Sequence, residues 1–316
     1  MLKIYQSNAQ GSLIEIKDIA HNSLVYLVNP SADEIATVVE QLEVPIDFIR
    51  DALDKNERPR IEKSANTLFM VLNTPVLKHD QSHKNEALYH TCPIGIIHAE
   101  NHLLIVSRQE LPILSNLITG QYGEFQSYMK TRISLLIFKA VAESYNHYLT
   151  QMNKKVSQLQ QKLKKSYRND ELFGLIGVNK SLVYFSTSLS GMRILYSRIM
   201  QGHDIKIHPE EKKRLEDILV DIRQAAEITE MRRESLSNLM DAYAAIIHNN
   251  LNSVLKMLTT LAIVMVIPTM MGSIFSMNVA LPYEEEAIST VVVGISMLLI
   301  VVLLVVVFYK KKYLRV

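Results

Sequence analysis

Seven residues recur at 3-4 spacing near the end of the chain: Asn252, Leu255, Leu258, Ala262, Val266, Thr269 and Ser273. On a helix they share one face, with oxygen-bearing groups at both ends and aliphatic groups between. Such a face could pass a hydrated cation along a pore, with Leu258 and Val266 as apolar constrictions. A stripe that packs one helix on another has the same spacing, so periodicity alone leaves both readings open. Further on, Glu284, Glu285 and Glu286 form an acidic run able to concentrate cations, although an acidic outer loop also follows from topology alone. Two carboxylates one turn apart, Asp217 and Asp221, read on their own as a solvated helix face. His79, His83, His90, His98 and His102 are scattered through a strand-and-loop texture that lacks the helical spacing of a metal pair. Enzyme chemistry finds no foothold. There is no phosphate loop, nucleophile elbow or HExxH, and the lone Cys92 lies in a strand-like run before Pro93.

The elements that must position the stripe are apolar. Residues 257–275 (MLTTLAIVMVIPTMMGSIF) and 288–308 (ISTVVVGISMLLIVVLLVVVF) carry no charge and have the length of a bilayer crossing. Thr259, Thr260, Pro268, Thr269, Gly272 and Ser273 make the first the inner helix, because neighbouring helices or water must cover such groups. Lys256 precedes the first span, Lys310, Lys311, Lys312 and Arg315 follow the second, and the short link between carries only acids. The positive-inside rule then puts both termini in the cytoplasm and the link outside, in the cell membrane. Two helices cannot enclose a pore, so a conducting form must be a ring of subunits.

The remaining chain reads as cytoplasmic, with no apolar run of signal-peptide length in MLKIYQSNAQGSLIEI. One cysteine forms no internal disulfide, and a net charge of +2 gives no reason to expect a nucleic-acid partner. LIEIKDI, SLVYLVNP, NTLFMVLNTPVLK, PIGIIHA and HLLIVSR alternate as strands, the last two meeting at a turn around Glu100 and Asn101. Ser31 with Glu34 three residues on predicts a capping box. Beyond Thr131 long helices take over: Leu149, Met152, Val156, Leu159 and Leu163 mark one, Leu182, Phe185, Leu189, Met192 and Tyr196 the next. Gly174, Gly177 and the Arg168–Asp170 segment are expected to turn between them. A third helix opens at Pro209, with Glu210 and Glu211 favouring its dipole, and meets no Gly or Pro until Pro268. At ~1.5 Å per residue it would be roughly 100 Å long.

The expected organisation is an α/β N-terminal cytoplasmic domain followed by long helices and two C-terminal transmembrane helices, mostly α overall. It comprises a domain over 1–130, a helical hairpin over 131–208, and a stalk helix over 209–275 that contains the first span (257–275). An outer loop over 276–287, a second span over 288–308 and a basic tail over 309–316 complete it.

Where the first span ends, Phe275-Ser276-Met277-Asn278-Val279 resembles the Tyr-Gly-Met-Asn-Phe signature of the CorA magnesium-transporter family. Asn252, Lys256, the mid-helix Pro268, the short outer loop, the second span and the basic tail follow the family's order. Asp241-Ala242-Tyr243 is similar to its Asp-x-Tyr, and Glu57-Arg58-Pro59-Arg60-Ile61-Glu62 to its Arg-Pro-basic-aliphatic-Glu segment. One departure is Ser276 in place of the signature glycine, a residue free to take backbone angles that strain serine.

The resemblance implies a homo-oligomer, a pentamer, conducting divalent cations, magnesium above all, across the lipid bilayer, with no organic cofactor. Ser276, Met277 and Asn278 would form the selectivity filter and the stripe would line the pore. Divalent ions bound between neighbouring cytoplasmic domains would hold it closed, with Asp217, Asp221 and Asp80 as the implied ligands. A zinc, cobalt or nickel transporter of the same family is one alternative, and a non-conducting membrane-anchored coiled-coil scaffold another.

Overall fold

The computed structural model describes residues 1–8, 12–78, 86–165, 169–202, 204–205, 207–277, 287–311 and 313. It divides into two compact units, Met1–Ser237 and Asn238–Val316.

The first unit is built on one mixed sheet of β1 (Leu2–Ser7), β2 (Leu13–Ile16), β3 (Leu24–Val28), β4 (Arg60–Ser64), β5 (Thr67–Leu77), β6 (Tyr89–His98) and β7 (Leu103–Ser107). The strand order is β2-β1-β3-β7-β6-β5-β4. Only β3 and β7 pair in parallel, with Leu24 opposite Leu103, and the other neighbours are antiparallel. A parallel pair requires a crossover, and the chain supplies it with α1 (Ala32–Leu42), α2 (Ile46–Leu53) and the β4–β6 meander. Ser31 Oγ accepts from the Glu34 amide at 3.2 Å and the Glu34 carboxylate accepts from the Ser31 amide at 2.8 Å, so the capping box is complete.

Alternate residues Val25, Leu27, Phe69, Val71, Ile97, Leu104 and Val106 join Val38, Phe48, Ile49 and Ala52 of α1 and α2 in one buried cluster. The intervening Leu24, Tyr26, Met70, Leu72, Ile94 and Ile96 are buried as well. Burial on both faces explains why β5 to β7 read as continuous apolar runs rather than alternating ones. Gly95 marks how closely α2 lies on β6: a Cβ there would come 2.4 Å from that of Ala52.

On the other side of the sheet lie α3 (Pro112–Ile118), α4 (Lys130–Lys165) and α5 (Asn169–Met200), with α4 and α5 packed on β5. Leu149, Met152, Leu159 and Leu163 of α4 are buried, as are Leu182, Phe185, Leu189, Met192 and Tyr196 of α5. The turn expected at Gly174 and Gly177 is not there, because both lie inside α5. A Cβ on Gly174 would meet Leu159 at 3.0 Å, and one on Gly177 the Glu86 carbonyl at 2.7 Å. These glycines serve close approach rather than chain reversal.

Helix α6 (Pro209–Phe275) spans 67 residues and carries the chain from the first unit into the second. Leu215, Ile218, Ile222 and Ala225 are buried within the first unit. The second unit holds the end of α6 and α7 (Ala287–Lys310), both long and apolar enough to cross a membrane.

Candidate pore-lining helix and ion sites

The stripe lies on α6, and all seven of its residues are exposed. Ser253, Thr260, Val264, Ile267, Pro268 and Met271 are the less exposed positions of the same stretch. At about 100° per residue the two sets fall on roughly opposite sides of the helix. The stripe therefore lies within the wide exposed side of the helix, which also takes in Leu261, Ile263, Met265 and Met270. Ala262, Val266, Thr269 and Ser273 line a shallow hollow on it, flanked by Met265 and Met270.

Hydrogen bonding sets what the polar positions present. Thr269 Oγ1 donates to the Met265 carbonyl at 2.9 Å, while Thr259 and Thr260 donate to Leu255 and Lys256 at 2.8 Å. Each hydroxyl hydrogen is satisfied within the helix, which lowers its cost in an apolar medium. At Thr269 the lone pairs remain on the exposed face, the polarity that suits a cation's hydration shell. Pro268 has no amide hydrogen to give the Val264 carbonyl, yet the helix continues to Phe275.

At the helix end the Ser276 amide donates to the Gly272 carbonyl at 3.0 Å and its hydroxyl to the Ser273 carbonyl at 2.9 Å. Among the described residues, the non-glycine positions with positive φ are Asn22, Asn29, Glu43 and Ala65. Ser276 is not one of them, so the strain expected of serine at a glycine position does not arise. Its side chain closes the last turn instead. Met277 is exposed. Asn278, Glu284, Glu285 and Glu286 lie outside the described residues.

Asp217 and Asp221 border a cavity of about 230 Å³ together with Arg132, Lys139 and Arg214. Two carboxylates thus face three cations, and Asp80 lies outside the described residues. Among the described residues, no three His, Cys, Asp or Glu side chains gather as a metal site. A divalent ion at Asp217 would need further acid from elsewhere.

Two of the histidines, His98 and His102, are held by hydrogen bonds to serines. His98 Nε2 is 2.8 Å from Ser134 Oγ, whose own hydrogen goes to the Lys130 carbonyl, so the imidazole donates. Burial, reinforced by Lys130, pushes its pKa down to about 3. His102 Nδ1 lies 3.1 Å from Ser23 Oγ, and His79 and His83 are outside the described residues. Burial pushes the Cys92 thiol up to about 11, which leaves no appreciable thiolate at neutral pH.

In the Glu57–Glu62 motif, Arg60 pairs with Asp51 at 2.7 Å, Glu57 at 3.1 Å and Glu62 at 3.3 Å, and lies over the Phe69 ring. It fastens α2 to the sheet edge. Arg232, which no sequence pattern marks, donates from α6 to the Leu149 carbonyl of α4. A backbone acceptor leaves no trace in sequence.

An α/β domain on a three-layer core, followed by two apolar exposed helical segments, the end of the continuous helix α6 and then α7, defines a two-span membrane protein class. The chain belongs to the CorA-like Mg2+ transporter protein family, whose profile matches residues 23–312. It is 22% identical over 293 residues to the cobalt/magnesium transport protein CorA of Methanocaldococcus jannaschii, covering 88% of each chain. It is 23% identical over 269 residues to the magnesium transport protein CorA of Helicobacter pylori, covering 83% of this chain and 81% of that one. The complete structure of CorA from M. jannaschii superimposes with a TM-score of 0.84 at 19% identity over 98% of both chains.

Proposed function

We propose that the protein is a homo-oligomeric channel for divalent metal cations whose principal cargo is magnesium, taken up across the cell membrane by a ring of five subunits. The observation that carries this reading is the stripe from Asn252 to Ser273, exposed along its whole length and opposite the covered side of α6. In a ring, such a face turns inward. Family membership supplies the ion class, and the resemblance supplies the subunit number.

Magnesium gives up its water reluctantly, so a filter should offer neutral oxygens to a hydrated ion. Asn278, one per subunit, meets that need at the outer mouth, with Ser276 ending the helix and Met277 beside it. Glu284, Glu285 and Glu286 raise the local cation concentration. Leu258 and Val266 form dewetting constrictions, and Asn252 forms the polar ring at the inner end.

Gating is assigned to ions held between neighbouring cytoplasmic domains by Asp217, Asp221 and Asp80. Since Arg132, Lys139 and Arg214 already surround the first two, the ion must be completed by acids of an adjacent subunit. Its preference for the closed state shifts the equilibrium, and α6 transmits the change.

Flux into proteoliposomes with Mg2+, Co2+, Ni2+ and Zn2+ in parallel tests the whole. Asn278→Ala is expected to abolish uptake with the oligomer intact, and Asp217→Ala with Asp80→Ala to weaken inhibition by internal Mg2+. Full uptake by the Asn278 variant removes the filter, and an unchanged inhibition curve removes the regulatory site. A cobalt transporter is the second reading, favoured by the name of the M. jannaschii relative, and the same ion panel separates the two.

A further inference from the structure

A hollow of about 390 Å³ opens between the 55–59 turn, the β5–β6 pair and α5, on the opposite edge of the sheet from β2. It plays no part in the pore or the signature. Its walls are preset: Pro59 leans on Gly191 of α5, where a Cβ would meet the ring at 3.1 Å. Two cations, Lys55 and Arg58, border it, are exposed, and form no ion pair with a described residue. Glu57, which also lines it, is held at 3.1 Å by Arg60, and Arg60 in turn is shared with Asp51 and Glu62.

The floor is polar and incompletely satisfied. Asn73 is only 6% exposed, and its Nδ2 donates to the Glu57 carbonyl at 3.0 Å and to Ser188 Oγ at 3.3 Å. A carbonyl can only accept, so Glu57 fixes which end of the amide is nitrogen. Asn73 Oδ1 is then an acceptor, and it has no partner. Ser188 passes its own hydrogen to Thr91 Oγ1 at 3.3 Å, which leaves the Thr91 hydrogen for an incoming acceptor. At the rim Tyr184 is half exposed, with its ring stacked on no other aromatic and its hydroxyl free among the described residues.

We propose that this hollow binds a nucleoside phosphate: the phosphate between Lys55 and Arg58, the base against Tyr184, and the ligand closing over the Asn73 amide, whose enclosed Oδ1 has no partner. Each requirement comes from a group left open. Two unpaired cations call for a compact anion. An exposed, unstacked ring on a wall that also carries the exposed Val183 calls for a planar partner. A buried acceptor without a donor costs free energy until one arrives. The volume is that of a small-molecule site rather than a peptide groove.

The test is calorimetric titration of the full chain in mild detergent, without divalent ions, using adenosine 5′-monophosphate, adenosine and inorganic phosphate as separate probes. The monophosphate is expected to bind saturably and each fragment about tenfold more weakly or worse. Lys55→Ala with Arg58→Ala should bring the monophosphate down to the level of adenosine. Tyr184→Ala should weaken the monophosphate by about tenfold while leaving inorganic phosphate unchanged. All three side chains are exposed, and size-exclusion profiles check that the variants assemble normally. No saturable binding of the monophosphate overturns the proposal, as does equal affinity in wild type and both variants. Equal affinity for inorganic phosphate and the monophosphate reduces the site to an anion pocket and removes the nucleoside. No transport enters the readout, so the outcome stands apart from the channel reading.

Discussion

Strand β7 and helix α7 are made of the same residues in opposite surroundings. Leu103, Leu104, Ile105 and Val106 are at most 2% exposed, whereas Leu298, Leu299, Val302 and Leu303 are 51% to 66% exposed. Burying a side chain of this kind is worth about 1.5–3 kcal/mol. In the first unit the chain gains that itself, between α1 and α2 on one face and α4 and α5 on the other. The second unit leaves it ungained, and an apolar medium such as lipid is the surroundings in which its surface is stable. One part of the molecule is finished by its own fold, and the other is left to what surrounds it.

Glycine substitutions probe that contrast most strongly. Gly95→Ala drives a Cβ into Ala52, and overpacking of this kind costs about 1–3 kcal/mol. Gly294 in α7 has nothing within 4 Å of its added Cβ, so Gly294→Ala should leave stability unchanged within about 0.5 kcal/mol. Denaturant unfolding of the two variants checks this. A large loss at Gly294 would mean that a close subunit contact crosses α7 there.

Acid is the next probe, and it should act on the first unit alone. His98 titrates near its ordinary value when unfolded and at about 3 when folded, because burial disfavours the charged ring. Its contribution is complete above the unfolded pKa and is lost as pH falls toward the folded one. Stability should decline on the order of 1 kcal/mol per pH unit between about pH 6 and pH 4. His98→Gln should flatten that slope in thermal melts taken across the range. An equal slope in the variant places the acid sensitivity elsewhere.

The smallest effect concerns Ser276. Its backbone needs no glycine, and its hydroxyl closes the helix on Ser273. Ser276→Gly should therefore preserve magnesium flux within about twofold or raise it slightly, as measured in proteoliposomes. A large loss would show that the serine cap itself holds the outer mouth in shape.

Much of the fold was legible because its signals are local. The capping box at Ser31 and Glu34, the long apolar strands and the uninterrupted run after Pro209 all declare themselves within a few residues. Strands β1 and β4 and helices α2 and α3 do not show in the sequence. In β4 only Ile61 of Arg60-Ile61-Glu62-Lys63-Ser64 is buried, so no alternation shows, and its place is set by pairing with β5 and by the Arg60 cluster. Gly174 and Gly177 were misread as a turn because glycine marks both reversal and close approach, and only the positions of Leu159 and Glu86 decide which. At the candidate site, periodicity revealed the stripe but not whether a neighbour within the chain covers it. That Asp217 and Asp221 share a cavity with Arg132 and Lys139 depends on α4 lying beside α6, which no spacing encodes.

The central claim is that the uncovered face of α6 lines the conduit. Val266→Cys puts a thiol on that face, and Val264→Cys puts one on the less exposed side, two residues away. Cys92, buried and with its thiol pushed up to about 11, stays silent toward a charged thiol reagent. Magnesium flux should be measured in proteoliposomes before and after treatment with a cationic methanethiosulfonate. Loss of flux is expected in the Val266 variant, with protection by high Mg2+, and little change in the Val264 variant. Block at Val264 with none at Val266 would contradict that expectation and turn the stripe into a packing face.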